Sequence, residues 1–110
     1  MLAKRERLTT AAFNDYFKSG KRFHSPTLQL IYTPREQFHG AVVVGKKVYK
    51  KAVDRNRLRR RLYGALYHLS RQQALTGVFI ITTKPAAKDT PYTDVRTDLG
   101  ELVGRISKKG

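Results

Sequence analysis

The chain has 110 residues, with 23 lysines and arginines against 8 acidic residues, which gives a formal net charge of +15. Its length and its hydrophobic fraction of 40% suit one compact core, so we expect a single domain over residues 1–110. This charge indicates a polyanionic partner such as nucleic acid. The absence of cysteine excludes disulfides and cysteine-based zinc sites. With no apolar run of membrane-spanning length and no signal-peptide pattern, we expect a cytoplasmic protein.

The first predicted element is a short aromatic helix. Residues 1–7 are basic and carry little to bury, so we expect them to form a mobile arm. Phe13 and Phe17 follow at helical spacing, after a suitable N-cap at Thr10 and before a natural stop at Gly20. We therefore predict a helix between Thr10 and Gly20.

Two strands are predicted next. From about residue 22 to residue 33 an alternating pattern predicts the first strand, with Gln29 and Ile31 on the face opposite Leu28, Leu30 and Tyr32. The run of small and β-branched residues at 41–44 predicts the second strand. Residues 34–40 contain turn-forming residues and would join them. Residues 46–51 then make a basic connection to the next element.

The second half alternates helix, strand and helix. The central helix is predicted from an N-cap at Asp54 and from an apolar stripe at Leu58, Leu62, Ala65, Leu66 and Leu69. Residues 78–83 are rich in β-branched side chains and predict a buried strand. A last helix is predicted from Thr90 and Pro91, with a similar stripe at Val95, Leu99, Leu102, Val103 and Ile106.

The predicted order of elements is α-β-β-α-β-α, followed by a basic tail at residues 107–110. A strand, a helix and a second strand in succession imply a parallel pair of strands covered by helices. We therefore assign the chain to the α+β class, as a two-layer α-β sandwich.

The strongest functional signal is the basic segment from Lys46 to Arg61, which holds nine basic residues and one acid, Asp54. A helical wheel places Arg57, Arg60 and Arg61 on one flank of the central helix, and Asn56, Arg59 and Tyr63 on another. Arginine grips phosphate through two parallel hydrogen bonds and also stacks on bases. The alternative is that this face is only solvated, as most charged helix faces are.

These residues carry a resemblance to a known family. Lys46-Lys47, Ala52-Val53 and the run from Arg55-Asn56-Arg57 to Leu62 resemble the signature of the bacterial ribonuclease P protein family. The likeness extends to Phe13 and Phe17 in the first helix and to Thr83-Lys84-Pro85 after the later strand. It covers nearly the whole chain.

The resemblance implies a fold with a left-handed β-α-β crossover and a role as accessory protein subunit, one per RNA. In that family an RNA subunit holds the catalytic Mg²⁺ ions and cleaves the 5′ leader from precursor tRNA. The protein is therefore expected to have no catalytic residue, no metal site and no cofactor of its own, and to bind the catalytic RNA and the leader.

The resemblance also assigns residues to these two RNAs. The expected contacts to the catalytic RNA are Arg55, Asn56, Arg57, Arg60, Arg61, Lys46, Lys47, Lys50 and Lys51. The expected contacts to the tRNA leader are Phe13, Phe17, Gln29, Ile31, Arg59 and Tyr63. Tyr63 stands where the family often has a basic residue, and Gly64 interrupts the central helix without a reason visible in the sequence.

Two other functions are compatible with part of the pattern. A ribosomal or chaperone-like RNA-binding protein would share the charge but would not require the aromatic helix and the arginine-rich helix to form one cleft. A protein-only nuclease would need clustered acids or histidines for metal-assisted hydrolysis. The three histidines and eight acids are scattered along the chain, which disfavours that function.

Overall fold

The computed structural model describes residues 6–107, so most of the predicted N-terminal arm and C-terminal tail lie outside the described residues. The elements in chain order are α1 (Thr10–Ser19), β1 (Lys21–His24), β2 (Leu28–Thr33), β3 (Phe38–Val43), α2 (Ala52–Gln72), β4 (Gly77–Thr83) and α3 (Tyr92–Ser107), with a 3-10 helix at Pro85–Asp89 before α3. Over this part of the chain, none of the helices combines the length and apolar character that crossing a membrane requires.

The helix ends follow local hydrogen bonding. The N-cap of α1 is Thr9, one residue before the predicted one, and its hydroxyl accepts the N–H of Ala12 at 3.2 Å. Gly20 closes α1 as predicted, with its N–H donating to the Tyr16 carbonyl at 2.9 Å. The central helix α2 begins before the predicted N-cap, so Asp54 lies in its first turn, where a carboxylate complements the helix dipole.

The predicted number of strands was wrong by one. The segment from residue 22 to residue 33 is two antiparallel strands, β1 and β2, and the observed order is α-β-β-β-α-β-α. Pro26 lies at the turn between them, and the buried Ser25 closes it: its hydroxyl accepts the Leu28 N–H at 3.0 Å. β1 has four residues and a single apolar side chain, Phe23, so the sequence pattern alone does not separate it from β2.

The four strands form one mixed sheet in the order β1-β2-β4-β3. The pairs β1·β2 and β2·β4 are antiparallel, and β3·β4 is parallel. The connection between the parallel strands is the 21-residue helix α2. The α+β class and the parallel pair predicted around the central helix are confirmed.

The crossover through α2 is left-handed, and L-residue stereochemistry gives its hand. Seen from the side-chain side with the chain running upward, the N–H and C=O groups of an L residue in a strand point right. Phe79 and Ile81 of β4 face the core that α2 covers. Gly77 precedes Phe79 by two residues, so its N–H points to the same side of β4 as theirs, and it donates to the carbonyl oxygen of Gln37 just before β3. Seen from α2, β3 therefore lies to the right of β4, and the chain passes from right to left as it runs from β3 through α2 to β4. Most β-α-β connections have the opposite, right-handed sense.

The two faces of the sheet are covered unequally. On one face, α2 and α3 pack on the sheet around fully buried side chains that include Leu62, Leu66, Phe79, Ile81 and Leu99. On the opposite face a smaller cluster, Ile31, Ala41, Val78 and Ile80, packs against α1. The sandwich thus has its two main layers where they were expected, and α1 covers part of the other face.

We predict opposite stability effects at two glycines. Gly77 has φ +106°, and a Cβ there would lie 2.9 Å from the Thr33 carbonyl oxygen, so Gly77→Ala should lower the free energy of unfolding by about 1–3 kcal/mol. At Gly64 a Cβ would meet no atom of the described residues within 4 Å, so Gly64→Ala should raise it by about 0.5–1 kcal/mol. Urea denaturation of both variants checks this; a destabilising Gly64→Ala would contradict it.

Candidate RNA-binding surfaces

One surface is a groove between the start of α2 and the start of α3, which we call the arginine groove. It holds about 190 Å³ and is lined by Tyr49, Asp54, Arg57, Leu58, Arg61, Ala87, Thr90, Tyr92 and Val95. The four α2 residues in this set follow i, i+3, i+4 and i+7 spacing, so they form one face of the helix. Because Leu58 is buried at its base, Arg57 and Arg61 lie on the exposed side.

Arg55 has a different position from the other arginines of its motif. Its Nη1 atom donates to the carbonyl oxygens of Tyr49 at 3.0 Å and of Lys50 at 2.6 Å, and the residue is half-buried. These charge-assisted bonds hold the loop before α2 against the first turn of the helix. Arg55 therefore positions this loop, including the Tyr49 side of the arginine groove.

The lysines predicted to bind RNA lie on the same loop, between β3 and α2. Lys46, Lys47, Lys50 and Lys51 are all exposed. Val48, in the middle of the loop, is only 2% exposed and belongs to the main core. Because Val48 anchors the loop, the lysine side chains extend from its outer side next to the arginine groove.

Tyr92 forms the α3 side of the arginine groove. Its hydroxyl donates to the carbonyl oxygen of Arg61 at 3.0 Å, and the guanidinium of Arg61 lies 5.2 Å from the centre of its ring. Burial raises the pKa of the Tyr92 hydroxyl, an effect that Arg96 and Arg61 oppose. The hydroxyl therefore stays protonated at neutral pH and ties the two helices together at the groove.

A second groove follows the outer edge of β3 and is called the edge groove. It is lined by Arg7, Val42, Arg59, Arg60 and Tyr63. Arg59 donates to the side-chain oxygen of Asn56, which keeps these two residues on one flank as the helical wheel predicted. The wheel grouped Arg60 with Arg57 and Arg61, and this grouping was wrong, because Arg60 shares the edge groove with Arg59.

Arg7 was not singled out by the sequence. Its backbone bridges to Gly40 of β3, and the neighbouring Glu6 forms an ion pair with Arg71 of α2 at 2.9 Å. Leu8 packs against the smaller cluster beneath α1. In the sequence, the signal that the chain is anchored at this point was Leu8, a single apolar residue after a basic run.

The third surface is the sheet face beside α1, which we call the sheet face. Phe13 and Phe17 stack with their ring centres 5.6 Å apart and pack against the cluster that contains Ile31. The Arg22 guanidinium lies 4.9 Å from the centre of the Phe17 ring and donates to the Phe17 carbonyl at 2.8 Å. The two phenylalanines are half-buried, so each combines a packing contact with an accessible part.

One row of the sheet continues this face outside the α1 cluster. Cross-strand register aligns His24, Gln29, Thr82 and Val43, and none of these four side chains is fully buried. Thr82 donates to the amide oxygen of Gln29 at 3.2 Å, and Val43 is 40% exposed. The predicted alternation of Gln29 and Ile31 away from the Leu28 and Leu30 face is confirmed.

The residues predicted to bind the leader fall in two places. Phe13, Phe17, Gln29 and Ile31 lie on the sheet face. Arg59 and Tyr63 line the edge groove, and Tyr63 packs against the main core, on the other side of the sheet. The two sets meet around the outer edge of β3, where Ala41 and Val42 point to opposite faces.

The basic segment is not neutralised by acids. Among residues 6–107, Glu6 and Arg71 form the one ion pair within 4.0 Å, and neither belongs to the segment from Lys46 to Arg61. Within the same described range, no three acidic, histidine or cysteine side chains come close enough together to hold a metal ion. These surfaces therefore combine unpaired positive charge with aromatic rings, a combination suited to single-stranded or folded RNA.

Comparison with known proteins agrees with this chemistry. A family model described as Ribonuclease P matches residues 2–107. The Ribonuclease P protein component of Synechococcus elongatus is 32% identical over 100 residues, which span 84% of this chain and 82% of the relative. That of Nitratiruptor sp. is 31% identical over 101 residues, spanning 92% and 91%.

Solved structures share the fold. The RNase P protein of Staphylococcus aureus superimposes with a TM-score of 0.81 at 19% identity, covering 92% of this chain and 94% of that one. The RNase P protein from Thermotoga maritima superimposes with a TM-score of 0.78 at 22% identity, covering 92% and 97%. With the family model spanning nearly every residue and the curated relatives agreeing, the chain belongs to the ribonuclease P protein family.

Proposed function

We propose that this accessory subunit of an RNA-based endoribonuclease binds its catalytic RNA through the arginine groove and the lysine loop beside it. The observation that carries this proposal is a set of exposed cations, in or beside the arginine groove, that form no ion pair within residues 6–107. Arg57 and Arg61 line the groove, and Lys46, Lys47, Lys50 and Lys51 extend from the adjoining loop. Guanidinium groups grip phosphates through paired hydrogen bonds, while the lysines act as point charges.

The sheet face is the proposed site for the 5′ leader of precursor tRNA. Phe13 and Phe17 offer ring surface to an unstacked base, and Gln29 and Thr82 offer polar groups on the uncovered row. Rings stack on any base, so such a surface holds a single strand with little sequence preference. This suits a subunit that must accept the leaders of many different tRNAs.

The edge groove extends the proposed leader site. Arg59 supplies a phosphate contact, and Tyr63 supplies a ring where the family often has a cation. A leader that also reached Arg59 would turn around the outer edge of β3. We therefore assign the two ends of the leader, the end nearest the tRNA and the end farthest from it, to opposite faces of the sheet, with β3 between them.

Catalysis is assigned to the RNA. In this proposal the holoenzyme holds Mg²⁺ through its RNA subunit, and the protein, bound one per RNA, supplies positive charge and leader contacts. Cations fixed on a folded protein reduce the repulsion between substrate and catalytic RNA phosphates, work that free Mg²⁺ does at high concentration. The protein should therefore matter most when Mg²⁺ is scarce.

The first test is reconstitution. The chain, mixed with a bacterial ribonuclease P RNA, should accelerate release of the 5′ leader from precursor tRNA at low Mg²⁺, and the protein alone should leave precursor tRNA intact. Gel analysis of the products checks both statements. Cleavage at the mature 5′ end by RNA-free protein, repeated by the Arg57→Ala variant to exclude a contaminant, would overturn the assignment of catalysis to RNA.

Binding of the catalytic RNA should weaken steeply with salt, because each neutralised phosphate releases a counterion. Arg57→Ala and Arg61→Ala should each reduce the slope of log affinity against log salt by about one. Arg96, an exposed arginine of α3 outside both grooves, provides the matched control, and Arg96→Ala should leave the slope unchanged. Filter binding at several salt concentrations measures the slopes. Equal slopes in all four proteins would mean that the α2 arginines are only solvated.

The leader site should be separable from the catalytic-RNA site. Phe17→Ala and Arg59→Ala should weaken binding of precursor tRNA by the holoenzyme while sparing mature tRNA, since only the precursor has a leader. Loss of one base stack at Phe17 should cost about 1–3 kcal/mol. Arg57→Ala should instead weaken assembly and affect both tRNAs once protein is limiting. Affinities at saturating protein decide this: equal losses for both tRNAs in Phe17→Ala would show that Phe17 is ordinary core.

A further inference from the structure

Asp54 is an unusual residue for a surface that binds phosphates. It is the single acid among the nine basic residues from Lys46 to Arg61, and it lines the arginine groove beside Arg57 and Arg61. It is half-buried, and its carboxylate forms no hydrogen bond or ion pair with any of the residues 6–107. A free carboxylate repels nearby phosphates, so on charge alone Asp54 weakens the binding that its neighbours provide.

Helix capping accounts for only part of this arrangement. An acid in the first turn of a helix complements the helix dipole, and Asp94 occupies the same position in α3. Asp94 is exposed, whereas Asp54 lines the groove between two arginines and two tyrosines. The dipole explains an acid near residue 54 but gives no reason for Asp54 to line the groove.

The walls of the arginine groove suit a flat ring. Tyr49 lines one side, on a loop that Arg55 fixes through two carbonyl hydrogen bonds. Tyr92 lines the other side, where its ring lies beneath the guanidinium of Arg61 and its hydroxyl is bonded to the α2 backbone. Aromatic and guanidinium planes are the surfaces on which proteins stack unpaired RNA bases. The contacts between Arg61 and Tyr92 hold one guanidinium and one aromatic plane in place before any ligand arrives.

The carboxylate selects among the bases. It can only accept hydrogen bonds, and its two oxygens match two adjacent donors. Guanine offers such a pair, N1–H and the 2-amino group, on its Watson–Crick edge. Cytosine and adenine place an acceptor nitrogen beside their amino group, and uracil offers a single N–H between two carbonyl oxygens.

We infer that the arginine groove receives one unpaired guanine of the catalytic RNA, with Asp54 accepting hydrogen bonds from N1–H and the 2-amino group. Arg57 and Arg61 then bind the phosphates on either side of that nucleotide. This inference rests on the proposed function and adds base specificity to it. Asp54 is then the one residue of the basic segment that recognises a base, while its neighbours bind phosphates.

Because Asp54 is negatively charged, base recognition and helix capping predict different changes in RNA affinity when its charge is removed. Asp54→Asn removes a negative charge and places an amide donor against a guanine donor, so it should weaken binding of the catalytic RNA about ten-fold. If Asp54 only caps the helix, removing its charge should leave binding unchanged or make it tighter. Asp94→Asn is the matched control and should not weaken binding. Circular dichroism and thermal unfolding confirm that both variants are folded.

Chemical footprinting identifies the base. Kethoxal reacts with N1 and the 2-amino group of unpaired guanines, so one guanine of the catalytic RNA should be protected by the wild-type protein and reactive with Asp54→Asn. Unchanged or tighter binding by Asp54→Asn, or weaker binding with no guanine changing reactivity, would overturn the inference alone. Failure of the wild-type protein to bind the RNA would overturn the proposed function, and this inference with it.

Discussion

The structure depends on the packing of α2 across the sheet. The fully buried Leu62 and Leu66 of this helix meet Phe79 and Ile81 of β4, so that one apolar stripe is removed from water and the opposite side of the helix must face outward. Every arginine from Arg57 to Arg61 is exposed as a consequence. The core therefore fixes the orientation of the RNA-binding residues, and each change to that stripe would also change where the arginines lie.

The same packing separates the surfaces. Because α2 lies on one face and α1 on the other, the arginine groove and the sheet face are divided by the thickness of the sheet, with the edge groove along β3 between them. A subunit built this way can contact two RNA segments at once without their phosphates sharing one site. Glu6 and Arg71, the ion pair of the described residues, hold the N-terminal segment beside that same edge.

Unpaired charge has a cost in the free protein. Nine cations between Lys46 and Arg61 repel one another with a single acid, Asp54, among them, and the structure offsets this by anchoring the segment at its buried positions, Val48 and Leu58. Arg55 contributes by binding two carbonyl oxygens of the loop, which makes it both a cation and a structural link. RNA phosphates would relieve the repulsion, so partner binding and stability of this segment are coupled.

Much of the molecule could be predicted from the sequence alone, because it depends on local periodicity. The stripe from Leu58 to Leu69 determined the central helix and its buried face, and the run at residues 78–83 determined a buried strand. The excess of lysine and arginine indicated a polyanionic partner. Likewise, Gln29 and Ile31 fall on the face opposite Leu28 and Leu30, because side chains alternate strictly along a strand.

Tertiary structure decided those features that depend on contacts between segments distant in sequence, because local periodicity contains no information about such contacts. The strand β1 is four residues long with a single apolar side chain, Phe23, so the extra strand became visible only through the pairing of β1 with β2. The position of Arg60 depends on which neighbour comes close to α2, and that neighbour is Arg7, more than fifty residues away in sequence. Asp54, whose carboxylate has no partner within residues 6–107, and the rings of Tyr49 and Tyr92 come from three separate segments, and only the folded chain brings them to one groove.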